Sequence, residues 1–331
     1  MLRSIPKSEL HIHLDGSLRP GTMLELARER NVALPVETAD QLADFMCVED
    51  ARDLNEYLRG FALTLSIMQD RDSIVRVTRE IVEDSAADNA RYVEIRYCPH
   101  LHAKGELDVE KVVSAVEEGL RQGEADTGCR AQGIVAALRS LPASHSMEMA
   151  ELAVGRRGRA ACGFDIAGPE KGYPVRDHAE AFKLAREAGL PITIHAGEAW
   201  GPSSIRQAIE EGFARRIGHG TRLVEDPELL ARVRDLGVTI EVCQTSNVQT
   251  RVAATHAEHP LRRFYEEGVR TSICTDNRLM SGVNLIDEYR HARDDLGLDK
   301  GALRTIARNG FEAAFLPDAE REGLIREIWE N

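Results

Sequence analysis

Short apolar runs alternate with amphipathic helical stretches along almost the whole chain, and this alternation restricts the fold most strongly. The first run contains Leu10, Ile12 and Leu14, which alternate with polar neighbours as in a β-strand. Seven further strand-like runs follow at 92–97, 133–137, 162–166, 192–195, 216–218, 238–242 and 271–275. Apolar residues between them recur at helical spacing, as in 109–120 and 226–236. Eight βα units in 331 residues predict an α/β fold, a (β/α)8 TIM barrel.

The connection after the first strand is much longer than the others. Residues 14–90 separate strand one from strand two, far more than one crossover helix needs. Helical spacing at 61–68 and 74–82 predicts extra helices inserted after strand 1, where they could cover a site at the C-terminal end of the barrel. No repeat, linker or low-complexity tract divides the chain, so we predict a single domain over residues 1–331.

Composition and charge disfavour several classes of protein. A net charge of −13 argues against nucleic acid as a partner, because phosphate binding needs a basic surface. No apolar run approaches the roughly 18 residues of a membrane span, and the N-terminus lacks the apolar core of a signal peptide. The six cysteines form no C-x-x-C pair, as in a reduced core rather than a disulfide scaffold. We therefore expect a cytoplasmic protein without a membrane partner. A homo-oligomer is compatible with this composition.

Side chains that can bind a metal follow the strand-like runs at the points where these end. His11 and His13 lie two residues apart in the first run, so both imidazoles project to one side. His195, His219 and Asp276 end the fifth, sixth and eighth runs. Parallel α/β folds place their chemistry at such strand ends. Three imidazoles and one carboxylate can hold one Zn²⁺, and we expect His219 to be the histidine kept off the metal.

These segments strongly resemble those of the adenosine deaminase family. The matching motifs are SELHIHLDGSLRP at 8–20, GFDIAGPE at 163–170, HAGE at 195–198, RIGHG at 216–220 and CTDN at 274–277. They run in the family's order from one end of the chain to the other. Related two-metal amidohydrolases carry a carboxylated lysine at the end of strand four. That position has no lysine here, since the strand reads Phe164-Asp165-Ile166, so one zinc per chain is expected.

The resemblance implies a catalytic set and a chemistry. His11, His13, His195 and Asp276 would bind Zn²⁺, and Asp276 would also aim the attacking water at purine C6. His219 would orient this water and help to deprotonate it. Glu198, three residues past His195, would be protonated and would give its proton to purine N1. An apolar pocket can keep such a carboxyl group protonated at neutral pH.

The resemblance also implies a substrate-binding set. Gly168 would present its backbone N–H to purine N3, Asp15 would bind a ribose hydroxyl, and His13 would lie beside the substrate. Asn277 stands where the family usually has a second aspartate, and it would donate a hydrogen bond to purine N7. An amide always donates, whereas a carboxyl group donates only when protonated. Gln244 stands where the family usually has proline, which leaves the local shape of the pocket open.

Three substrates remain open within this chemistry. Adenosine or 2′-deoxyadenosine, converted to inosine or 2′-deoxyinosine and ammonia, is the favoured one. A 5′-modified adenosine, such as 6-aminodeoxyfutalosine of menaquinone biosynthesis, is the alternative, in which Arg19 could bind a carboxylate. We expect instead that Arg19 is a solvated residue of a first helical turn. Adenine is less favoured, because adenine deaminases of this family tend to have glutamate at the position of Asp15.

Overall fold

The described residues of the computed structural model, 2–47, 60–105 and 107–329, form eight β-strands. The strands are β1 (Lys7–His13), β2 (Ala90–Tyr97), β3 (Arg130–Leu138), β4 (Gly163–Ala167), β5 (Thr193–Ala196), β6 (Arg216–His219), β7 (Thr239–Val242) and β8 (Thr271–Ile273). Each strand overlaps the run predicted for it. The strands end within a few residues of their predicted limits. The small differences arise because the apolar pattern follows burial, whereas the strand is defined by its hydrogen bonds.

The strands pair in chain order into a closed ring. β1 to β4 form one parallel sheet and β5 to β8 a second. Two parallel bridges join the sheets, one between Phe164 and Ile192 and the other between Ile12 and Asp276. The predicted (β/α)8 barrel is therefore confirmed. The single domain over 1–331 stays a prediction.

Helices follow the strands and surround the ring. They are α1 (Pro20–Glu29), α2 (Ala39–Met46), α3 (Phe61–Ile67), α4 (Arg71–Ala87), α5 (Pro99–His102), α6 (Val109–Thr127), α7 (Ala143–Gly155), α8 (Ala179–Glu187), α9 (Pro202–Glu210), α10 (Pro227–Leu236), α11 (Gln244–Gln249), α12 (Leu261–Glu266), α13 (Arg278–Ser281), α14 (Leu285–Asp294), α15 (Lys300–Ala313) and α16 (Asp318–Trp329). Short 3₁₀ turns at Leu2–Ser4, Val175–His178, Thr221–Glu225 and His256–Glu258 lie between them.

The long connection after β1 contains the extra helices that its sequence predicts. α1, α2, α3 and α4 all precede β2. Phe61, Ala62 and Leu65 of α3 line the cavity at the C-terminal end of the barrel. The inserted helices therefore form part of the site, as expected. Residues 48–59 of this connection lie outside the described residues.

The N-terminal end and the buried face of α10 follow local rules, except at Leu236. Asp226 caps α10 through a 3.0 Å hydrogen bond from the Leu229 N–H, and Pro227 occupies the first helical position. Leu230 and Val233 are buried as predicted, but Leu236 is 56% exposed. The prediction for Leu236 was wrong because the helix ends there, at Gly237, before its last turn can pack on the barrel.

The inside of the barrel is polar and charged near the site. Arg96, Arg216, Glu94 and Glu241 are all fully or almost fully buried. The Glu241 carboxylate accepts hydrogen bonds from Arg96 at 2.7 Å and lies 2.6 Å from Arg216 Nε. Arg216 also pairs with Glu94. Barrel interiors are usually filled by branched apolar side chains, so this ion network is a specific feature of the layer beneath the site.

Two further sequence predictions concern the whole chain. Five of the six cysteines are buried, as expected of small thiols in a core. Along the described residues, no helix has both the length and the apolar character needed to cross a membrane. The cytoplasmic location stays a prediction.

Candidate active site

The ends of β1 and β8 bring three predicted ligand residues together. The backbone N–H of His13 donates to the Asp276 carbonyl at 2.8 Å, and the N–H of Asp276 donates to the His11 carbonyl at 2.9 Å. This parallel pairing sets the two imidazoles beside the carboxylate. Asp276 has φ +63°, a left-handed conformation that is uncommon for a non-glycine residue and that often occurs at functional sites.

Four side-chain atoms converge at this point. His13 Nε2 lies 3.1 Å from His195 Nε2, and Asp276 Oδ1 lies 3.3 Å from His13 Nε2 and 3.4 Å from His11 Nε2. Ligands about 2.0–2.1 Å from a tetrahedral Zn²⁺ are separated by about 3.3 Å. His11 Nε2 is buried and has no hydrogen-bond partner among the residues that the structure describes. The residues present therefore fit a metal ion with three nitrogen ligands and one oxygen ligand.

Buried carboxylates behind two of the histidines orient their rings. His11 Nδ1 lies 2.9 Å from Glu241 Oε2, and His195 Nδ1 lies 3.0 Å from Asp165 Oδ2. Each Nδ1–H donates to a carboxylate, so each Nε2 turns its lone pair towards the convergence point. Burial lowers the pKa of His195, which keeps the ring in the neutral form that a metal requires.

Glu198 and His219 lie on the neighbouring strand ends. His219 Nε2 is 3.8 Å from Glu198 Oε2. Burial raises the pKa of Glu198 to about 8, and the charges of Asp276 and Glu170 add to this shift. This shift favours the protonated form of Glu198 near neutral pH. His219 has φ +65° and Asp276 has φ +63°, so two of the three predicted catalytic residues have a left-handed backbone conformation.

These residues share one cavity of about 330 Å³. Its lining includes eight of the nine predicted site residues: His13, Asp15, Gly168, His195, Glu198, His219, Asp276 and Asn277. The ninth, His11, lies directly beneath, and a Cβ atom on Gly218 would come within 2.8 Å of its ring, so only glycine fits there. Burial raises the pKa of Asp15 to about 6. The rest of the wall is largely apolar.

Comparison with known proteins decides the family. A sequence profile described as adenosine deaminase matches residues 6–331. The chain belongs to the adenosine deaminase family. It is 40% identical over 345 residues to adenosine deaminase 1 of Streptomyces coelicolor, covering 99% of this chain and 87% of that protein. It is 41% identical to the adenosine deaminase of Mycolicibacterium vanbaalenii, covering 99% and 95%. The protein is thus a hydrolase that acts on the C6 amine of a purine.

Solved structures of other deaminases have the same fold. Adenine deaminase from Arthrobacter aurescens superposes with a TM-score of 0.92 at 27% identity, with 99% of each chain covered. The Arabidopsis N6-mAMP deaminase superposes with a TM-score of 0.88 at 28% identity, covering 100% of this chain and 99% of that one. The adenosine deaminase family is metal-dependent, and the described residues contain a group of donors that fits a metal.

The two departures from the family pattern are both accommodated. Asn277 lines the cavity, and its Oδ1 occupies the space beside Gly16 where a Cβ atom would lie, only 1.8 Å away. The side-chain amide of Asn277 is therefore packed against Gly16 at the cavity wall. Gln244 is fully buried, and its Nε2 donates to the Glu288 carbonyl at 2.9 Å. Gln244 does not line the cavity. The replacement of proline by glutamine at this position therefore changes the contact between α11 and Glu288 and not the cavity wall itself.

Several residues near the site had no predicted role. Glu170, the last residue of the GFDIAGPE motif, accepts backbone hydrogen bonds from the turn that carries Glu198. Ser246 donates to Asp276 Oδ2 at 2.7 Å. Asn247 and His259 lie behind His219. Some of these residues lie in or beside motifs that the sequence shows. The spacing of residues along the chain, however, does not indicate which group a buried polar side chain contacts.

Arg19 remains partly solvated, as expected, but its charge is paired. It precedes α1 at the N-cap position, and its side chain is 38% exposed. Its guanidinium donates to Asp84 at 2.7 and 3.0 Å and to Glu83 at 2.9 Å, both on α4. The described residues that line the cavity do not include Arg19. The guanidinium group thus forms ion pairs with the carboxylates of α4. The sequence could not reveal these pairs, because the partners lie more than 60 positions from Arg19.

Proposed function

We propose that this protein catalyses the zinc-dependent hydrolytic deamination of adenosine and 2′-deoxyadenosine, with release of ammonia. One observation carries the proposal. A buried carboxyl group that holds a proton at neutral pH, Glu198, shares a nucleoside-sized cavity with the four converging donor atoms of His11, His13, His195 and Asp276. An acid for the ring and a metal for the water are what hydrolysis at an aromatic C–N bond requires.

The proposed cofactor is one Zn²⁺ per chain, held by these four residues. Three imidazole nitrogens and one carboxylate oxygen suit zinc better than they suit magnesium or calcium, which prefer sites made of oxygen ligands alone. Zinc bound there would supply the Lewis-acid charge that makes a water nucleophilic near neutral pH.

Each chain residue then has a physical task. Glu198 gives its proton to purine N1, which removes electron density from the ring and opens C6 to attack. Asp276, fixed by the Ser246 hydroxyl at 2.7 Å, accepts a hydrogen bond from the attacking water. His219 holds the same water on its other side. Together they place the water at C6 and the acid at N1, the two ends of one bond of the ring. Holding reacting groups in this geometry is how positioning contributes to rate.

Recognition of the substrate is assigned to three residues in the cavity wall. Gly168, with φ +97°, brings its backbone close to a flat base and presents its N–H to N3. Asn277 donates to N7 through its amide nitrogen. Asp15 accepts a hydrogen bond from a ribose hydroxyl. These roles rest on the resemblance to the family and on the presence of all three in the same cavity.

The cavity favours a nucleoside over the alternatives. Among the described residues that line it there is no lysine or arginine, the groups that usually bind phosphate, which disfavours a nucleotide. Arg19, the candidate receptor for the carboxylate of 6-aminodeoxyfutalosine, is occupied by Asp84 and Glu83. Asp15, rather than glutamate, disfavours free adenine.

A substrate panel tests the proposal. Purified zinc-loaded enzyme is assayed with adenosine, 2′-deoxyadenosine, 6-aminodeoxyfutalosine, N6-methyl-AMP and adenine, and conversion of the adenine ring to hypoxanthine is followed by absorbance. We expect the highest kcat/KM for adenosine and 2′-deoxyadenosine. A clear preference for any of the other three would replace the proposed substrate and leave deamination in place. Arg19→Ala should leave the ranking unchanged, whereas Asp15→Ala should weaken nucleoside binding.

A further inference from the structure

The hydrogen bond behind His219 determines which nitrogen of its ring carries the proton. His219 Nδ1 lies 3.0 Å from Asn247 Nδ2, and both residues are buried. A neutral imidazole has one N–H donor and one acceptor nitrogen. The partner of Nδ1 therefore fixes what Nε2 can do at the cavity. The orientation of this partner follows from a chain of hydrogen bonds that starts at a backbone N–H group, which can only donate.

The chain of contacts begins at the first residue of α12. The backbone N–H of Leu261 donates to His259 Nδ1 at 3.2 Å. A backbone N–H can only donate, so His259 Nδ1 must be an acceptor without a proton. Burial lowers the pKa of His259 to about 3, so the ring is neutral. Its single proton is consequently on Nε2.

His259 then fixes the orientation of the Asn247 amide. His259 Nε2 lies 3.1 Å from Asn247 Oδ1, and the Thr221 hydroxyl lies 2.7 Å from the same oxygen. A flipped amide would set an N–H of Asn247 against the N–H of His259, two donors with no acceptor between them. Amide orientation cannot be read from atomic positions alone, but the His259 donor leaves only one arrangement. Asn247 Nδ2 is therefore turned towards His219 and donates to its Nδ1.

We infer that Leu261, His259 and Asn247 form a hydrogen-bond relay that holds His219 in its Nε2–H form, so that His219 is a hydrogen-bond donor at the cavity and not an acceptor of the proton from water. This inference rests on the proposed function for the identity of the water that His219 contacts. Asn247 and His259 are positioning residues, because they act through His219. An imidazole with a proton on Nε2 also cannot offer that nitrogen to a metal, which requires a lone pair.

The consequence for the chemistry is a change in the role of one residue. His219 can orient the attacking water by donating to its oxygen, and it can stabilise negative charge that develops on that oxygen. It cannot remove the proton of the water at Nε2, which already carries one. The groups left to handle protons beside His219 are Glu198, 3.8 Å away, and Asp276.

Nitrogen NMR of the zinc-loaded enzyme with ¹⁵N-labelled histidine tests the relay without any substrate. His219→Gln identifies the signals of His219 by their loss. We expect Nδ1 of His219 to have the shift of an unprotonated ring nitrogen and Nε2 that of a protonated one. The opposite assignment, or a doubly protonated ring at neutral pH, would overturn the inference. Because this measurement needs no turnover, it stands or fails separately from the substrate panel.

Two pairs of variants test whether the relay supports activity. Asn247→Asp replaces the donor by an acceptor of almost the same shape and should move the His219 proton to Nδ1. It should lower kcat by roughly 10- to 100-fold, the usual cost of changing a group that orients a site residue, with little change in KM. Asn284→Asp is the matched control, because the Asn284 side-chain oxygen accepts from the Ile286 and Asp287 N–H groups at the start of α14, a role that a carboxylate keeps. It should leave kcat unchanged.

The second pair addresses His259. His259→Gln retains an N–H group that can donate to Asn247 Oδ1 and should retain most of kcat. His259→Leu removes the donor, frees the amide to flip, and should lower kcat together with a mixture of His219 forms in the NMR spectrum. Equal activity of the two variants, with the His219 signals unchanged in both, would contradict the relay.

Discussion

At the scale of single residues, burial converts an ordinary carboxyl group into an acid that works at neutral pH. Glu198 is 5% exposed, and its pKa rises to about 8 because water is excluded and because Asp276 and Glu170 are nearby anions. A solvated glutamate would be ionised at pH 7 and would have no proton to give. The proposed proton transfer to N1 thus depends on the position of one side chain.

Glu198→Gln tests that role directly. The amide has the same shape but no transferable proton, so turnover should fall by roughly two to four decades, the range for general acid–base catalysis. Zinc content should be unchanged, since Glu198 is not among the four converging donors. The assay combines kcat with elemental analysis of the same preparation. A variant with near-normal turnover would rule out Glu198 as the proton donor.

Asn277 provides a second test at this scale. Its side-chain amide packs against Gly16 and lines the cavity, and we expect its N–H group to face the ligand. Adenosine and 7-deazaadenosine differ only in the N7 acceptor, so the second compound would leave this buried donor unpaired. Its kcat/KM should be lower by the equivalent of about 1–3 kcal/mol. Equal kcat/KM values would mean that Asn277 does not contact N7.

At the scale of elements, one carboxylate holds the turn between β5 and α9. Glu170 is 2% exposed. Its oxygens accept the backbone N–H of Gly197 at 2.6 Å, of Glu198 at 3.0 Å and of Trp200 at 2.8 Å. Three donors from one turn on one carboxylate fix the direction in which the Glu198 side chain leaves the backbone. Glu170 therefore connects the strand-four motif to the acid on strand five.

Glu170→Gln should weaken this support. The amide offers one acceptor oxygen and sets an N–H group against a backbone donor, so kcat should fall by roughly 10- to 100-fold while zinc content persists. Glu312→Gln is the matched control, because Glu312 only pairs with Arg308 on the outer surface of α15, at 3.0 Å. If Glu170→Gln and Glu312→Gln have the same kcat, the turn does not depend on Glu170.

At the scale of the whole molecule, the ion network inside the barrel supports the site from below. Glu241 contacts Arg96, Arg216, Thr193 and His11 within 2.9 Å. These partners come from strands β1, β2, β5 and β6, so a single carboxylate ties half of the ring together. The same carboxylate orients one of the proposed zinc ligands, which couples the stability of the barrel to the metal site.

Glu241→Gln should therefore affect stability and metal binding together. It removes one of the two carboxylates that compensate each buried guanidinium group, since Arg96 keeps Asp165 and Arg216 keeps Glu94. Breaking a buried ion pair typically costs about 3–5 kcal/mol of unfolding free energy. The exposed pair broken in Glu312→Gln should cost less than about 1 kcal/mol. Urea unfolding of the two variants, with zinc content measured before unfolding, makes the comparison. Similar losses in both would show that the interior network is not important for stability.

Metal stoichiometry is the last prediction at this scale. The converging ligands in the cavity and a strand four without lysine predict one Zn²⁺ per chain. Removing it should abolish deamination, and adding it back should restore activity and raise the unfolding free energy, by about 2.7 kcal/mol when free zinc is 100 times the dissociation constant. Two metals per active chain, or full activity after exhaustive chelation, would contradict the proposed site.

The sequence by itself determined the barrel, the order of its strands and the candidate ligands. Helical and strand periodicities are local, and the C-terminal ends of parallel strands must meet at one end of a barrel. His11, His13, His195 and Asp276 could therefore be grouped without knowing any distance.

Only the tertiary structure decided how buried polar groups are paired. Arg19 is held by Asp84, Glu170 by the turn at Gly197, and His259 by Asn247. The first two partners are 65 and 27 positions apart, and no periodicity relates them. The tautomer of His219 depends on the same kind of contact, because a hydrogen bond is set by distance and direction in space. The sequence indicated which residue types could act at the site. Which atom donates and which accepts in each hydrogen bond was decided only by the fold.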